Sequence, residues 1–284
     1  MNASDELAGK DHSVALAHGG RIPAIGLGTW PLIGRECEKM VSDALAAGFR
    51  LIDTSHKYGN ETDVGRAVRE SGIPRSEIFI TSKFNKENHS VDGVQRAYDE
   101  SLQRLGVDYL DMFLCHWPVP AQGTFVAAWQ GLVKLWSEGQ VKSIGVSNFK
   151  PWHIEQIVSA TGIAPDLNQI QLSVDIARHP PREFHTHHHI VTESWSPLGR
   201  GTNLDDPVVV AIAEKVGRSP AQVLLRWHVQ NGIVPVPRAT TAQQLTENIQ
   251  VFDFSLAEND MVVLNSLDQG ETAARDSDSP ENGH

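Results

Sequence analysis

Cysteine is scarce: Cys37 and Cys115 are the only two in 284 residues. That is too few for a disulfide framework or a cysteine-held zinc cluster. Long apolar runs are missing as well. No window reaches the ~18 uninterrupted apolar residues of a membrane span, so no membrane partner is expected. Residues 1–11 lack the basic start and apolar stretch of a secretory signal, and a cytoplasmic location is the expectation. Basic residues are outnumbered, 24 Lys and Arg against 35 Asp and Glu, for a formal charge of −11. A nucleic-acid partner calls for a cationic face, so none is expected. What is present, 40% hydrophobic residues in a chain of this length, suits a globular protein with a sizeable core.

The two ends read differently from the middle. Residues 1–12 are polar without periodicity, and residues 271–284 are acidic; both are expected to be solvated tails. Residues 13–270 show no linker or composition break and are expected to form one domain. Within it, short apolar runs recur at 24–28, 50–54, 78–83, 109–116, 143–148, 167–171, 190–196 and 233–238. Such runs suit parallel strands buried on both faces. Segments with helical spacing lie between them, at 36–47, 92–105, 125–137, 151–160 and 220–229. The last two open with Pro151 and Pro220, which a first helical turn accepts.

Eight strand-like runs separated mostly by helices predict a (β/α)8 TIM barrel. A doubly wound sheet is the competing fold, but its phosphate turn needs a third glycine, which Gly26-Leu27-Gly28-Thr29-Trp30-Pro31 lacks. Ahead of the first run, apolar stretches flank His18-Gly19-Gly20, a β-hairpin signature placed to plug the barrel bottom. Periodicity at 207–216 predicts an extra helix after the seventh strand, and further helix is expected at the C-terminus.

In such a barrel, chemistry collects where the strands end. The polar residues that end the runs are Asp53, Lys83, His116, Ser147 with Asn148, Gln169 with Gln171, Glu193 with Ser194 and Ser196, and Arg238. A lysine closing the run Ile-Phe-Ile-Thr-Ser-Lys83 is partly desolvated and needs a counter-charge. Asp53, one strand over, is the candidate, and Tyr58 lies five residues beyond it. An ammonium beside a phenol favours the phenolate, and a phenol tuned in that way can protonate a carbonyl oxygen as a hydride reaches its carbon. The histidine can orient that oxygen. This site needs a hydride source, hence a nicotinamide cofactor.

These residues sit in stretches that resemble the aldo-keto reductases, especially the short bacterial branch that includes 2,5-diketo-D-gluconate reductases. The stretches are Gly26-Leu27-Gly28-Thr29-Trp30, Leu51-Ile52-Asp53-Thr54 with Tyr58-Gly59-Asn60-Glu61, Leu114-Cys115-His116-Trp117-Pro118, Ser143-Ile144-Gly145-Val146-Ser147-Asn148-Phe149, Glu193-Ser194-Trp195-Ser196-Pro197-Leu198-Gly199, and Pro220-Ala221-Gln222-Val223-Leu224-Leu225-Arg226-Trp227. The resemblance implies NADPH-dependent reduction of a small-molecule carbonyl by a monomer. It implies Tyr58 as general acid, Lys83 and Asp53 as its supporting ion pair, and His116 as the carbonyl-orienting group. It also implies that Thr29, Asp53, Ser147, Asn148 and Gln169 border the nicotinamide, with the Trp195 ring stacked on it. Ser196 and Leu198 then lie near the pyrophosphate, and Arg238, Glu247 and Asn248 at the adenosine end. Trp30, Trp117 and Asn85 are the expected pocket walls, and no metal is expected.

Departures from the family pattern bear on specificity. Ala239 and Gln244 stand where NADPH-preferring members often carry a serine and an arginine, so Arg238 alone keeps the phosphate charge and NADH is a possible second cofactor. Phe84-Asn85 replaces the family's Leu-Trp, which is expected to widen or wet the pocket. Leu172-Ser173-Val174-Asp175 lacks the usual His-Pro, so the following helix is expected to be shifted or short. The run His185-Thr186-His187-His188-His189 admits a metal reading, but no acidic residue lies in the usual place and the stretch is expected on an outer helix away from the barrel mouth. Two other functions stay open at this point: a nucleotide-binding sensor or scaffolding subunit on the same fold, and a metal-dependent barrel hydrolase or isomerase.

Overall fold

Alternating apolar and small residues let eight short strands face packed side chains on both sides. A computed structural model of the chain describes residues 12–279, 281 and 282. An antiparallel hairpin, β1 (Ser13–Ala15) and β2 (Arg21–Pro23), comes first, paired from Ser13 opposite Pro23 to Ala15 opposite Arg21. The parallel sheet follows in chain order: β3 (Leu27–Gly28), β4 (Leu51–Asp53), β5 (Phe79–Phe84), β6 (Met112–Cys115), β7 (Ser143–Ser147), β8 (Leu167–Gln171), β9 (Val191–Trp195) and β10 (Val234–Pro235). Backbone bonds from Gly26 N to Pro235 O and from Gly28 N to Pro237 O, each 3.0 Å, join the first strand to the last and close the barrel. Glycine is required at that seam, because a Cβ on Gly28 would lie 2.7 Å from the Val236 carbonyl oxygen.

The strands are shorter than the apolar runs that announced them. The run 109–116 yields only Met112–Cys115, since the Asp111 carboxylate turns in to accept the Ile80 amide at 3.0 Å. The run 233–238 yields only Val234–Pro235, because Pro235 and Pro237 have no N–H to extend a ladder.

Helices α1 (Gly34–Ala47), α2 (Glu61–Glu70), α3 (Val91–Leu105), α4 (Phe125–Ser137), α5 (Pro151–Thr161) and α6 (His179–His187) form the outer ring after β3 to β8. Two helices, α7 (Pro207–Val216) and α8 (Pro220–Gln230), follow β9, and α9 (Ala242–Ile249) and α10 (Glu258–Asn265) end the domain. Ser219 and Gln222 close a reciprocal cap at the start of α8. Helix α2 was not foreseen, because its first turn, Glu61-Thr62-Asp63, is polar. It packs so closely on α3 that a Cβ on Gly65 would strike the Leu105 carbonyl.

The hairpin plugs the barrel bottom. Leu16 and Ile22 pack with Leu51, Met112, Leu167, Val191 and Val234, the first residues of five barrel strands, in one buried apolar cluster. His185 in α6 is fully buried, with one ring nitrogen 2.9 Å from Asn168 Nδ2 and the other 2.9 Å from Thr192 Oγ1. Both of its nitrogens serve packing of the helix on the sheet, and burial pushes the imidazole down to about 3.

The segment after 270, expected to be a solvated tail, is anchored instead. Arg178 pairs with Glu271 at 2.9 Å, the Gln171 side chain accepts the Arg275 amide at 2.9 Å, and Lys150 reaches Asp276 and Asp278 at 2.6 and 2.7 Å. Acidity read as solvation in the sequence serves here as pairing with cations of the barrel mouth. Residues 1–11 lie outside the described residues.

Replacing Ile22 with Ala leaves a cavity between hairpin and barrel. The expected loss is about 2–5 kcal/mol of unfolding free energy, measured by urea titration, with the helix signal of the folded state unchanged.

Candidate active site

The two-residue period of a strand turns every second side chain into the barrel, and the apolar bottom layer fixes the register. From Leu51, two steps reach Asp53; from Leu167, Gln169; from Val191, Glu193. Lys83, Ser147, Gln169 and Glu193 therefore lie within the barrel near the C-terminal strand ends, all of them buried. Lys83 is fully enclosed, and its Nζ donates to both Asp53 carboxylate oxygens at 2.7 Å and to the Thr54 carbonyl at 3.0 Å. Desolvation is the largest single effect and would discharge such an ammonium, but the Asp53 charge and hydrogen bonds, together with Tyr58 and Glu193, outweigh it and hold the Lys83 pKa above its ordinary value.

Tyr58 reaches this pair from a tight turn. Ser55 caps the turn His56–Tyr58 by accepting the Lys57 amide, and Gly59 ends it at φ 69°, a conformation that favours glycine. Asn60 then locks the turn to its surroundings through the Thr54 hydroxyl (2.7 Å) and the Leu32 carbonyl (2.8 Å). Glu61 takes the Ser82 hydroxyl and the Arg104 guanidinium, both at 2.6 Å. The phenol oxygen so placed is 3.4 Å from Lys83 Nζ, and the ammonium stands 5.1 Å from the ring centroid. Burial pushes the Tyr58 phenol up, and the Lys83 charge works against that rise without cancelling it. The expectation of a net acidified phenol is thus corrected, because removal from water outweighs the ammonium.

His116 stands edge-on to Tyr58 with ring centroids 5.9 Å apart. Its Nδ1 lies 3.0 Å from Asn85 Oδ1 and 3.3 Å from Ser55 Oγ. Asn85, expected to be a pocket wall, is instead buried, and its Nδ2 has no hydrogen-bond partner among the described residues. The Phe84-Asn85 substitution thus places an amide against the histidine rather than opening a wet pocket. Trp117 is buried, whereas Trp30 is exposed, with the Arg200 guanidinium 5.9 Å from its ring centroid.

The remaining sequence-selected groups form an arc from this centre. Thr29 donates its hydroxyl to the Asp53 carbonyl at 2.9 Å. Ser147 donates to the Gln169 carbonyl at 2.9 Å, and Asn148, at φ 62°, donates to the His116 carbonyl at 3.1 Å and accepts the Trp195 indole N–H at 2.9 Å. Ser196 (φ 56°) and the partly buried Leu198 continue the loop after β9. At the far end Asn248 is buried and Glu247 half-buried, held by the Gln243 amide at 2.8 Å. Gln244 caps the Thr240 amide at 2.8 Å. Arg238 is exposed and has no hydrogen bond or ion pair among the described residues.

Residues 24–269 match the Aldo/keto reductase family. The chain belongs to that family. An aldo-keto reductase of Mycolicibacterium smegmatis is 43% identical over 263 residues, covering 93% of this chain and 96% of that protein. Morphine 6-dehydrogenase of Pseudomonas putida is 38% identical over 277 residues, covering 93% and 94%. A mutant of Gox0644 solved in complex with NADPH superposes with a TM-score of 0.91 at 40% identity, covering 97% of this chain and all of that one (100%). The chain is therefore an oxidoreductase on a TIM barrel.

In this aldo-keto reductase the sequence reading gave Glu193 no role. It is fully buried, its Oε2 accepts from Gln169 Nε2 at 2.6 Å, and its Oε1 has no hydrogen-bond partner among the described residues. The same Gln169 nitrogen donates to Asp53 Oδ1 at 2.8 Å. The signal available was a second carboxyl facing into the barrel three strands from the catalytic candidates. Ser55 and Asn60 were also passed over, being turn residues of common type.

Asp53→Leu leaves the enclosed Lys83 ammonium without its partner and is expected to cost about 3–5 kcal/mol of stability. The double change Asp53→Leu with Lys83→Met recovers much of that loss in urea unfolding, which two independent contributions would not do.

Proposed function

We propose that this enzyme reduces aldehydes or ketones to alcohols with NADPH, using Tyr58 as the proton donor. The observation that carries the reading is the convergence of Asp53, Lys83, Tyr58 and His116 at one barrel mouth, with Lys83 Nζ bonded to Asp53 and 3.4 Å from the phenol. The groups along the arc fit a nicotinamide dinucleotide. Arg238 offers an unengaged guanidinium suited to a phosphate. Gln169, with its nitrogen committed to two carboxyls, leaves its oxygen as the acceptor for a carboxamide N–H. Ser147 and Asn148 would border the same carboxamide, Trp195 the ring face, Ser196 and Leu198 the pyrophosphate, and Glu247 and Asn248 the adenosine. When bound, the reduced nicotinamide supplies the hydride.

The chain's own part is proton handling and orientation. A phenol whose pKa burial raises keeps its proton at neutral pH, as a general acid must. As negative charge develops on the carbonyl oxygen, Tyr58 gives that proton up, and the adjacent Lys83 ammonium stabilises the phenolate left behind. Asp53 keeps Lys83 charged throughout. His116 is the second hydrogen-bond donor to the same oxygen. Turning the Asn85 amide so that its unpartnered Nδ2 donates to Nδ1 would put the ring proton on Nε2. Because all four groups belong to one chain, the site is complete in a monomer, and we propose a cytoplasmic monomer acting on small-molecule carbonyls.

Tyr58→Phe is expected to bind NADPH with unchanged affinity while turnover falls about 10²- to 10⁴-fold. Fluorescence titration and loss of NADPH absorbance with an aldehyde panel check this, and turnover surviving in the variant would remove Tyr58 as the donor. Arg238→Ala is expected to weaken NADPH roughly 10- to 100-fold, the worth of one charged hydrogen bond, and to leave NADH almost unchanged. Equal losses for both cofactors would place the phosphate elsewhere.

A further inference from the structure

Beneath the reacting groups lies an arrangement that the mechanism above does not use. One Gln169 nitrogen donates to two carboxyls at once, Asp53 at 2.8 Å and Glu193 at 2.6 Å. Asp53 spends both oxygens on Lys83. Among the described residues Glu193 has no ion-pair partner, and its second oxygen is enclosed with no hydrogen-bond partner. A fully buried carboxylate with an empty oxygen is costly, whereas a carboxylic acid places its proton there and cancels the charge. The charged and titratable groups facing Glu193 are Asp53 from β4, Lys83 from β5 and Tyr58 from the turn after β4. Its neighbours on β10, Val234 and Pro235, bring none. Burial, then the Asp53 charge, push Glu193 up to about 8.

We propose that Glu193 is a positioning residue that couples a buried proton to the redox state of the nicotinamide through Gln169. The inference rests on the reading that Gln169 meets the nicotinamide carboxamide. The oxidised ring carries a positive charge and the reduced ring does not. A carboxylate one side chain away favours the oxidised form, and a carboxylic acid favours neither. The balance is one proton: when the oxidised cofactor binds to the protonated protein, the Glu193 O–H bond breaks, the electron pair stays on the carboxylate, and the proton leaves to solvent. No electrons move. By linkage, the affinity for NADP⁺ relative to NADPH rises as pH passes upward through the range in which Glu193 loses its proton. Below that range the proton stays on Glu193 and the oxidised complex gains no such stabilisation, which aids cofactor exchange in the reducing direction.

Affinities of both cofactor forms, measured by fluorescence or calorimetric titration across about pH 6 to 9.5, test this without turnover. In the unaltered protein the NADP⁺ to NADPH affinity ratio is expected to rise roughly tenfold over that range. The ratio cancels titration of the cofactor's own phosphate, which both forms share. In Glu193→Gln, which keeps the shape and an acceptor for Gln169 but has no proton to lose, the ratio is expected to stay flat. Calorimetry of the unaltered protein in two buffers of different ionisation enthalpy adds a readout that needs no variant: near pH 8, NADP⁺ binding releases a proton fraction and NADPH binding does not. A flat ratio in the unaltered protein, or an equal rise in Glu193→Gln, overturns the inference. If the unaltered protein binds both forms but the ratio ignores Glu193, the nucleotide reading stands and this coupling falls. If it binds neither form, both fall together.

Discussion

The structure turns on one enclosed ammonium. Lys83 has no access to water, so everything that keeps it charged must be protein. Asp53 supplies the counter-charge, the Thr54 carbonyl supplies a neutral acceptor, and the Tyr58 oxygen occupies the remaining side at a longer distance. That longer contact matters because it is weak in the resting state. On the proposed reading of Tyr58 as proton donor, a phenolate would draw the ammonium closer, so the interaction would grow as the proton leaves, and interactions that strengthen along the reaction are the ones that accelerate it. A tight Lys83–Tyr58 bond at rest would stabilise reactant and transition state alike.

Holding an ion pair at the mouth depends on an apolar floor. The hairpin residues Leu16 and Ile22 pack against the first residues of five strands in one buried apolar layer. Strand alternation then carries the interior from apolar to polar within two or three residues. The barrel is thus graded along its axis, with hydrophobic closure at one end and titratable groups at the other. The same grading explains why Glu193 and Asp53 share a single amide donor: so few polar groups reach this depth that each must serve more than one neighbour.

Much of this was legible in the sequence, for identifiable reasons. The eight strands announced themselves as apolar runs, and the hairpin by Gly19-Gly20 between apolar stretches. Asp53, Lys83 and His116 ended those runs, so barrel logic alone converged on them. Strand lengths were overread at 109–116 and 233–238, where Asp111 and two prolines cut ladders that hydrophobicity could not delimit. Helix α2 was missed because its polar first turn, Glu61-Thr62-Asp63, and the Gly65 that follows hide an amphipathic face. The C-terminal acids were read as solvated because their partners, Lys150 and Arg178, lie about a hundred residues away or more.

The hardest readings were those in which residue type misleads about environment. Asn85 in place of an aromatic reads as a lost wall, yet the amide is buried with its Oδ1 3.0 Å from His116 Nδ1. Glu193 reads as one more polar strand end, yet it is enclosed more completely than Asp53. Tyr58 beside a lysine reads as an acidified phenol, yet burial dominates and the phenol keeps its proton. In each case the sequence names the chemical group, while its protonation state follows from how much water the fold removes and how many partners it returns. Proton positions in a barrel mouth are therefore collective. One ammonium, two carboxyls and one phenol bear on one another's charge, and changing any of them shifts the rest.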